Sequence, residues 1–201
     1  MSTAAVAAGF DNPVLAAQSV FRAVMDAMAR PGTIHKLAGL PAALAPLSPA
    51  AAAIGLALTD YETPIWLDDR LAAAPQVAQW LAFHTGAPLT RDPARAAFAF
   101  IAEVIDAPPF DAFALGTPEY PDRATTLVLQ VDRLGVGPGL TLTGPGIAGT
   151  RRFAAEPLPR DFLARLAQNR TAFPRGVDLV LAAPDAVAAL PRTVRVEPAG
   201  G

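Results

Sequence analysis

The sequence contains no cysteine, and this absence removes three kinds of chemistry at once. Disulfides, thiolate metal sites and cysteine nucleophiles all need the missing side chain. Histidine occurs only as His35 and His84, without a His-Glu-x-x-His motif, which argues against a conventional zinc site built from protein ligands. Serine occurs only at positions 2, 19 and 48, in the terminal tail, a predicted helix and a predicted helix cap. No phosphate-binding loop or nucleophile elbow is present. We therefore predict no self-contained hydrolytic or metal centre and assign no catalytic or metal-binding residue.

The chain also has little positive charge and no long apolar run. Its net charge is −2, which argues against a nucleic-acid binder because such a protein needs a basic face. Lysine occurs only as Lys36. The longest nearly apolar run, residues 49–58, is too short to span a bilayer, and no basic residue precedes Arg22 as a secretory signal would require. We expect a soluble, cytoplasmic protein.

What is present is an alternation of helical and strand patterns along 201 residues. Asn12-Pro13 predicts a helix start, and Val14, Ala17, Phe21, Val24 and Met28 predict its core-facing stripe. Further helices are predicted at 48–59, 73–84, 108–115, 159–169 and 185–190, and strands at 33–37, 64–67, 97–102, 125–131, 140–143, 177–181 and 193–197.

Most of these strands are apolar runs, which is typical of a sheet covered on both faces. The fold class predicted is α/β, a three-layer α/β/α sandwich with a mixed sheet. Glycines at 135–139 predict an antiparallel hairpin between the strands at 125–131 and 140–143. We expect one domain over residues 1–201, with flexible ends at 1–9 and 198–201.

The most conspicuous motif is Thr-Gly-Pro-Gly-Ile, containing Gly144 and Gly146, followed by Arg151 and Arg152. Glycines after a strand let backbone N–H groups approach an anion, and a guanidinium can complete a phosphate or carboxylate pocket. The alternative is a tight turn followed by two solvated arginines. The spacing alone favours the turn.

Two further groups of polar residues could each form either a ligand site or a purely structural contact. Asp60 and Thr63 precede a strand, so they either form a polar rim at a strand end, where open α/β sheets bind ligands, or a simple turn. Arg175, Asp178 and Arg192 surround the last strands and form either a ligand site or an internal ion pair.

Ten of these fragments, in this order and spacing, resemble the PhnH family, the H subunits of the bacterial carbon–phosphorus lyase system for phosphonate breakdown. The resemblance covers about residues 10–196. It is carried by residues 21–22, 29–32, 58–60, 62–67, 83–85, 115–117, 126–131, 142–147, 173–179 and 190–193.

The resemblance implies a fold similar to the core of pyridoxal-phosphate-dependent transferases, without that or any other cofactor. It implies a homodimer that assembles with the G, I and J subunits. With the G, I and L subunits, such proteins support transfer of ribose triphosphate from ATP to methylphosphonate, which yields ribose 1-methylphosphonate 5-triphosphate and adenine. The glycosyl-transfer centre is usually placed on the I subunit, so no catalytic residue is carried over.

Two rival functions remain. A pyridoxal-phosphate enzyme of the same fold would need a Schiff-base lysine, and Lys36 is the single candidate. A stand-alone small-anion-binding protein would act without partners. Co-purification separates that rival from the subunit interpretation, because a subunit is recovered in a complex.

Overall fold

The computed structural model describes residues 6–42 and 44–199 and is built around a mixed seven-stranded sheet. The spatial order of its strands is β1-β9-β8-β5-β4-β2-β3. Strands β2, β3, β4, β5 and β8 are mutually parallel, whereas β9 runs antiparallel to both β8 and β1. The bounds are β1 His35–Lys36, β2 Ile65–Leu67, β3 Leu89–Thr90, β4 Phe98–Ile101, β5 Thr126–Gln130, β8 Asp178–Ala183 and β9 Ala186–Leu190.

A second, three-stranded antiparallel sheet has the order β10-β6-β7. Its strands are β6 Arg133–Thr143, β7 Arg151–Glu156 and β10 Arg195–Pro198.

Five α-helices join these strands within the described part of the chain: α1 Pro13–Ala29, α2 Pro49–Leu58, α3 Asp69–Ala72, α4 Pro75–Thr85 and α5 Phe162–Thr171. The predicted starts of α1 and α2 are confirmed. Asn12 Oδ1 accepts from the backbone N–H of Leu15, and Ser48 Oγ accepts from that of Ala51, in each case with proline at the first helical position. These side chains satisfy amides that have no partner within the helix.

The large sheet is buried on both faces, which explains the apolar runs in its sequence. Within β5, Val128 faces a core shared with α1, α2 and α4, while Leu127 and Leu129 face a core shared with α5 and the small sheet. All three side chains are fully buried. Successive residues of a strand point to opposite faces, so no polar alternation is possible here. The α/β class and the mixed sheet are confirmed, but the second covering layer combines α5 with a sheet.

Three predicted elements differ in the structure. The hairpin between residues 125–131 and 140–143 is wrong, because β6 pairs with β7 and β10 while β5 lies inside the large sheet. Residues 185–190 form strand β9 instead of a helix, since pairing with β8 buries every residue of Ala186–Leu190. Residues 108–115 hold only the single 3-10 turn Phe110–Ala112.

The predicted apolar stripe of α1 is wrong at Val14 and Phe21, whereas Val24 is buried and Met28 packs against the core. The helix buries Val20, Ala23, Val24 and Ala27. Val14 and Phe21 lie on the opposite side, with 77% and 48% of their surfaces exposed. The buried alanines and valines are small enough to let α1 pack closely against α2 and the sheet.

The chain ends were predicted to be flexible over residues 1–9 and 198–201, and residues 1–5 and 200–201 lie outside the described part. Within it, the carbonyl of Ala7 accepts from Trp80 Nε1 at 3.0 Å, and His84 Nε2 lies 2.9 Å from the same oxygen. Pro198 is the last residue of β10, and the amide of Ala199 donates to the carbonyl of Gly139.

Asp68 joins the carboxyl ends of β2 and β4. Its side chain is 5% exposed. Oδ1 accepts from the amide of Leu71 at 2.9 Å, which caps α3, and Oδ2 accepts from the amides of Ala102 and Glu103 at 2.7 Å each. One carboxylate therefore satisfies three backbone donors on two elements.

We expect Asp68→Ala to lower the free energy of unfolding by about 2–4 kcal/mol, because it removes a helix cap and leaves the two amides that follow β4 without their acceptor. The matched control is Asp92→Ala. Asp92 also accepts an amide, that of Ala94, but in an exposed 3-10 turn, so its loss is expected to stay within about 1 kcal/mol. Urea denaturation measures both, and equal losses would contradict this account of Asp68.

Candidate functional site

Five separated segments meet at the amino end of β8 and enclose an open cleft of about 500 Å3. We call it the amino-edge cleft. The five segments are the end of α1, the turn before β5, the loop joining β6 to β7, the loop before β8 and the segment after β9. The lining residues are Met28, Ala29, Pro121, Asp122, Pro145, Gly146, Phe173, Pro174, Asp178, Pro191, Arg192 and Thr193.

The centre of the amino-edge cleft is an ion pair between Arg192 and Asp178. The two side chains are 13% and 15% exposed. Arg192 Nε donates to Asp178 Oδ1 at 3.1 Å and Nη2 donates to Oδ2, while the Arg192 amide adds a bond of 2.8 Å to Oδ1. This two-point geometry is the strongest arrangement available to a guanidinium and a carboxylate. The internal ion pair considered for these residues is confirmed.

Arg192 also holds the walls of the amino-edge cleft. Its Nη1 donates to the carbonyl of Pro121 at 2.6 Å and lies 3.5 Å from that of Pro174. A guanidinium has five N–H donors, so these contacts leave about one donor for any ligand. The charged side chains lining the cleft are those of Asp122, Asp178 and Arg192, two carboxylates and one cation. This balance does not favour an anion.

Gly144 and Gly146 allow the β6–β7 loop to approach the rest of the fold closely. Gly146 has φ +78°, and a Cβ there would lie 2.1 Å from the carbonyl oxygen of Ala29. Gly144 has φ +134°, and a Cβ there would lie 3.2 Å from the carbonyl oxygen of Thr193. Glycine is required at both positions, because φ is positive and a Cβ atom would lie too close to the neighbouring carbonyl oxygen. Both glycines thus have a packing role, and Gly146 also lines the cleft.

Arg151 and Arg152 begin β7 and are not among the residues lining the amino-edge cleft. Arg151 packs along Gly32, where a Cβ would lie 3.0 Å from Arg151 Cδ and 2.4 Å from Leu142. Its Nε is buried and has no hydrogen-bond partner among the described residues. Arg152 lies opposite Thr141 in the strand register and is exposed.

Asp60 and Thr63 form a self-contained turn. Thr63 Oγ1 donates to the Asp60 carbonyl and accepts from the Asp60 amide, and Asp60 Oδ1 accepts from the amide of Glu62. The turn precedes β2, so it lies at the amino ends of the parallel strands. A ligand bound at the carboxyl ends of the strands, the usual place in open α/β sheets, would therefore not meet this turn, and a contact role for Asp60 and Thr63 stays a prediction.

Arg175 lies apart from Asp178 and Arg192 despite their nearness in sequence. Its side chain is exposed and faces a second hollow of about 240 Å3 beside α5. Gln168 and Asp111 also line this hollow and are joined by a hydrogen bond of 3.0 Å. Asp178 and Arg192 therefore line the amino-edge cleft, whereas Arg175 lines this second hollow.

Three observations bear on cofactors, metals and membranes. Lys36 is 75% exposed and its Nζ pairs with Asp185 Oδ2 at 2.6 Å, so this lysine lies at the surface and lacks the desolvated pocket that activates a Schiff-base lysine. Residues 6–42 and 44–199 contain no group of three or more histidine, aspartate or glutamate side chains placed to bind a metal ion. In the same part of the chain, no helix combines the length and apolarity needed to cross a membrane.

Residues 8–197 match the sequence profile of PhnH, described as a bacterial phosphonate metabolism protein. The chain belongs to the PhnH family. A relative from Rhizobium meliloti (strain 1021), named alpha-D-ribose 1-methylphosphonate 5-triphosphate synthase subunit PhnH, is 48% identical over 188 residues, or 94% of each chain. A second relative from Stutzerimonas stutzeri, named putative C-P lyase subunit protein HtxG, is 38% identical over 82 residues, covering 41% of this chain and 42% of its own.

Several fragments that carried the resemblance to the PhnH family meet at the amino-edge cleft. Residues 29–32, 142–147, 173–179 and 190–193 each contribute at least one lining residue. Sequence reasoning missed Met28, Pro121 and Asp122 as neighbours of this group. Pro121 takes part through its carbonyl, and a backbone contact gives no signal in residue identity.

We expect Arg192→Ala to lower the free energy of unfolding by about 3–5 kcal/mol, because it leaves the Asp178 carboxylate buried without its cation. Arg175→Ala is the matched control. It removes an exposed arginine nearby, and we expect a change within about 0.5 kcal/mol. Chemical denaturation of both variants checks the difference, and a small effect at position 192 would show that the ion pair does not hold the cleft.

Proposed function

We propose that this chain is a non-autonomous subunit of a carbon–phosphorus lyase system that supports, together with partner subunits, transfer of ribose triphosphate from ATP to methylphosphonate. The products are ribose 1-methylphosphonate 5-triphosphate and adenine. The observation that carries the proposal is the 48% identity over 94% of both chains to the Rhizobium meliloti synthase subunit. The similarity extends over nearly the whole length of both chains, so it is not confined to one shared segment.

The geometry supports a role in assembly more than in chemistry. In the amino-edge cleft the one arginine is already paired with an aspartate and two carbonyls. A general base or nucleophile needs a neighbour that activates it. Exposed Phe173 and the surrounding prolines instead give the cleft an apolar wall suited to contact with a protein.

The proposal includes the cellular setting and the partners. The chain acts in the cytoplasm as one domain over residues 1–201, with a fold like the core of pyridoxal-phosphate-dependent transferases and without that cofactor. It forms a homodimer that assembles with the G, I and J subunits, and it acts with the L subunit in the transferase step. The candidate residues for contact with a ligand or a partner are Gly144, Gly146, Arg151, Arg152, Asp60, Thr63, Arg175, Asp178 and Arg192.

Affinity-tagged chain, expressed with the other subunits of the system, is expected to recover the G, I and J subunits in fixed ratio. The physical reason is that a subunit without its own catalytic grouping contributes only through an assembled complex. The same co-expression with untagged chain is the control for incidental binding of the other subunits to the resin. Recovery of the chain free of these subunits at all salt concentrations would contradict the subunit proposal and favour a stand-alone binding protein.

Arg151→Ala combined with Arg152→Ala is expected to weaken assembly at least tenfold, because it removes two guanidinium groups at the start of β7 that are proposed to contact a partner carboxylate or phosphate. The loss of aliphatic packing against Gly32 gives a smaller, separate change in stability, which thermal unfolding measures. Substituting lysine at both positions is the control that retains charge. Unchanged assembly and unchanged growth on methylphosphonate in the double-alanine variant would show that Arg151 and Arg152 have only a structural role.

A further inference from the structure

The amino-edge cleft carries one negative charge that no cation of its lining balances. Asp178 and Arg192 neutralise each other at the centre of the cleft. The third charged side chain of the lining, Asp122, is exposed and has neither an ion pair nor a hydrogen bond within the described part of the chain. The adjacent Arg123 is engaged elsewhere, with its guanidinium 4.3 Å from the centroid of the Tyr120 ring. The cleft therefore offers an unused carboxylate.

The end of α1 adds backbone acceptors to the same cleft. In a continuing helix, the carbonyls of residues 27–29 would accept from the amides of residues 31–33. Residue 31 is a proline without an N–H, and the amides of the next two residues donate to the carbonyls of Ala189 and Arg30 instead. The last three carbonyls of α1 thus have no donor among the described residues. Met28 and Ala29 line the cleft, so the helix end contributes partial negative charge there.

The walls between these acceptors are apolar and rigid. Phe173 is 60% exposed, and prolines at positions 121, 145, 174 and 191 also line the cleft. A proline side chain loses no rotamer freedom when it is covered, and the face of an aromatic ring attracts a cation. A cation with a flat face of its own is therefore the group that fits both the walls and the charge.

These features select a guanidinium over the other charged groups of proteins. A guanidinium is planar, stacks on aromatic rings, is less strongly hydrated than an ammonium and pairs with a carboxylate through two parallel hydrogen bonds. An anion would meet Asp122 and the end of α1, with about one free donor of Arg192 to bind it. The cleft already recognises one guanidinium in this way, since Arg192 is held by a carboxylate and two proline carbonyls.

We infer that the amino-edge cleft receives an arginine side chain of a partner subunit, which pairs with Asp122 and stacks on Phe173. The inference rests on the proposed function, because the arginine comes from a protein with which this chain assembles, and it assigns one surface of that assembly. Arginine is enriched among the few residues that dominate binding at protein interfaces. An arginine inserted into the cleft displaces water from around the ion pair, which strengthens the attraction.

Crosslinking from position 173 identifies the occupant. Phe173 is replaced by benzoylphenylalanine, which keeps an aromatic ring in the wall, and the chain is assembled with purified G, I and J subunits before illumination. Mass spectrometry of the crosslinked peptides is expected to show one segment of a partner subunit that contains an arginine. A crosslink to a second copy of this chain, a crosslink to a segment without arginine, or no crosslink within the assembled complex overturns the inference.

A charge exchange tests the pairing itself. Asp122→Arg places two cations together and is expected to weaken assembly by about 30-fold. Changing the crosslinked arginine of the partner subunit to aspartate is expected to weaken assembly with the wild-type chain and to restore most of the affinity for the Asp122→Arg chain. Failure of the double exchange to recover affinity, with both proteins folded by circular dichroism, overturns the pairing.

Asp122→Asn removes the charge alone, and Asp111→Asn is its matched control, because each aspartate is the exposed middle residue of a single 3-10 turn. Affinity for the partner subunits is measured at low and high salt. Asp122→Asn is expected to weaken binding about tenfold at low salt and to reduce the loss of affinity on adding salt, whereas Asp111→Asn is expected to change it less than about twofold. Tighter binding by Asp122→Asn would indicate an anionic occupant. That result and unchanged binding each overturn the inference.

The outcomes separate this inference from the proposed function. A wild-type chain that assembles with its partners while the variants at Asp122 bind equally well keeps its subunit role and loses the arginine site. A wild-type chain that does not assemble contradicts both. Thermal unfolding of Asp122→Asn is expected to match that of the wild-type chain, because the carboxylate makes no contact within the described residues that its loss would remove.

Discussion

The ion pair of Arg192 with Asp178 ties the paired strands β8 and β9 to the loops around the amino end of β8. Asp178 begins β8, Arg192 follows β9, and the carbonyls of Pro121 and Pro174 complete the contacts of the guanidinium. Two charges this well buried need each other and further hydrogen bonds to offset the loss of their hydration. The arrangement of the amino-edge cleft follows from this requirement. The same requirement leaves the cleft short of free donors, so it is better suited to a protein contact than to binding an anion.

Local signals predicted most of the fold. Asn12 and Ser48 cap α1 and α2, and Gly86 ends α4 with φ +71°, as their residue types indicate. The failures come from long-range pairing. Residues 185–190 are alanine-rich and fit a helix locally, but β8 offers a partner that buries all of Ala186–Leu190. The choice of partner for β6 and the face of α1 that is buried were likewise decided by tertiary packing, which propensity does not contain.

The candidate site was predicted in pieces but not as a whole. Gly146, Asp178 and Arg192 were selected from sequence and do line one cleft, whereas Arg175 faces another surface and Asp60 closes its own turn. Sequence spacing cannot show which loops share an edge of the sheet. The family resemblance proved the stronger guide, because four of its fragments meet at the amino-edge cleft. In the fold, these four fragments lie where the end of α1 packs against the loops around the amino end of β8.

The central claim is that this chain works only as part of a complex, and the most direct measurement is a titration of adenine release. Increasing amounts of the purified chain are added to a fixed amount of the G, I and L subunits with ATP and methylphosphonate. The account predicts no adenine without the partners, and a rate that rises with added chain and levels off at a fixed stoichiometric ratio. Adenine release by the chain alone, or a full rate from the partners without it, would contradict the account.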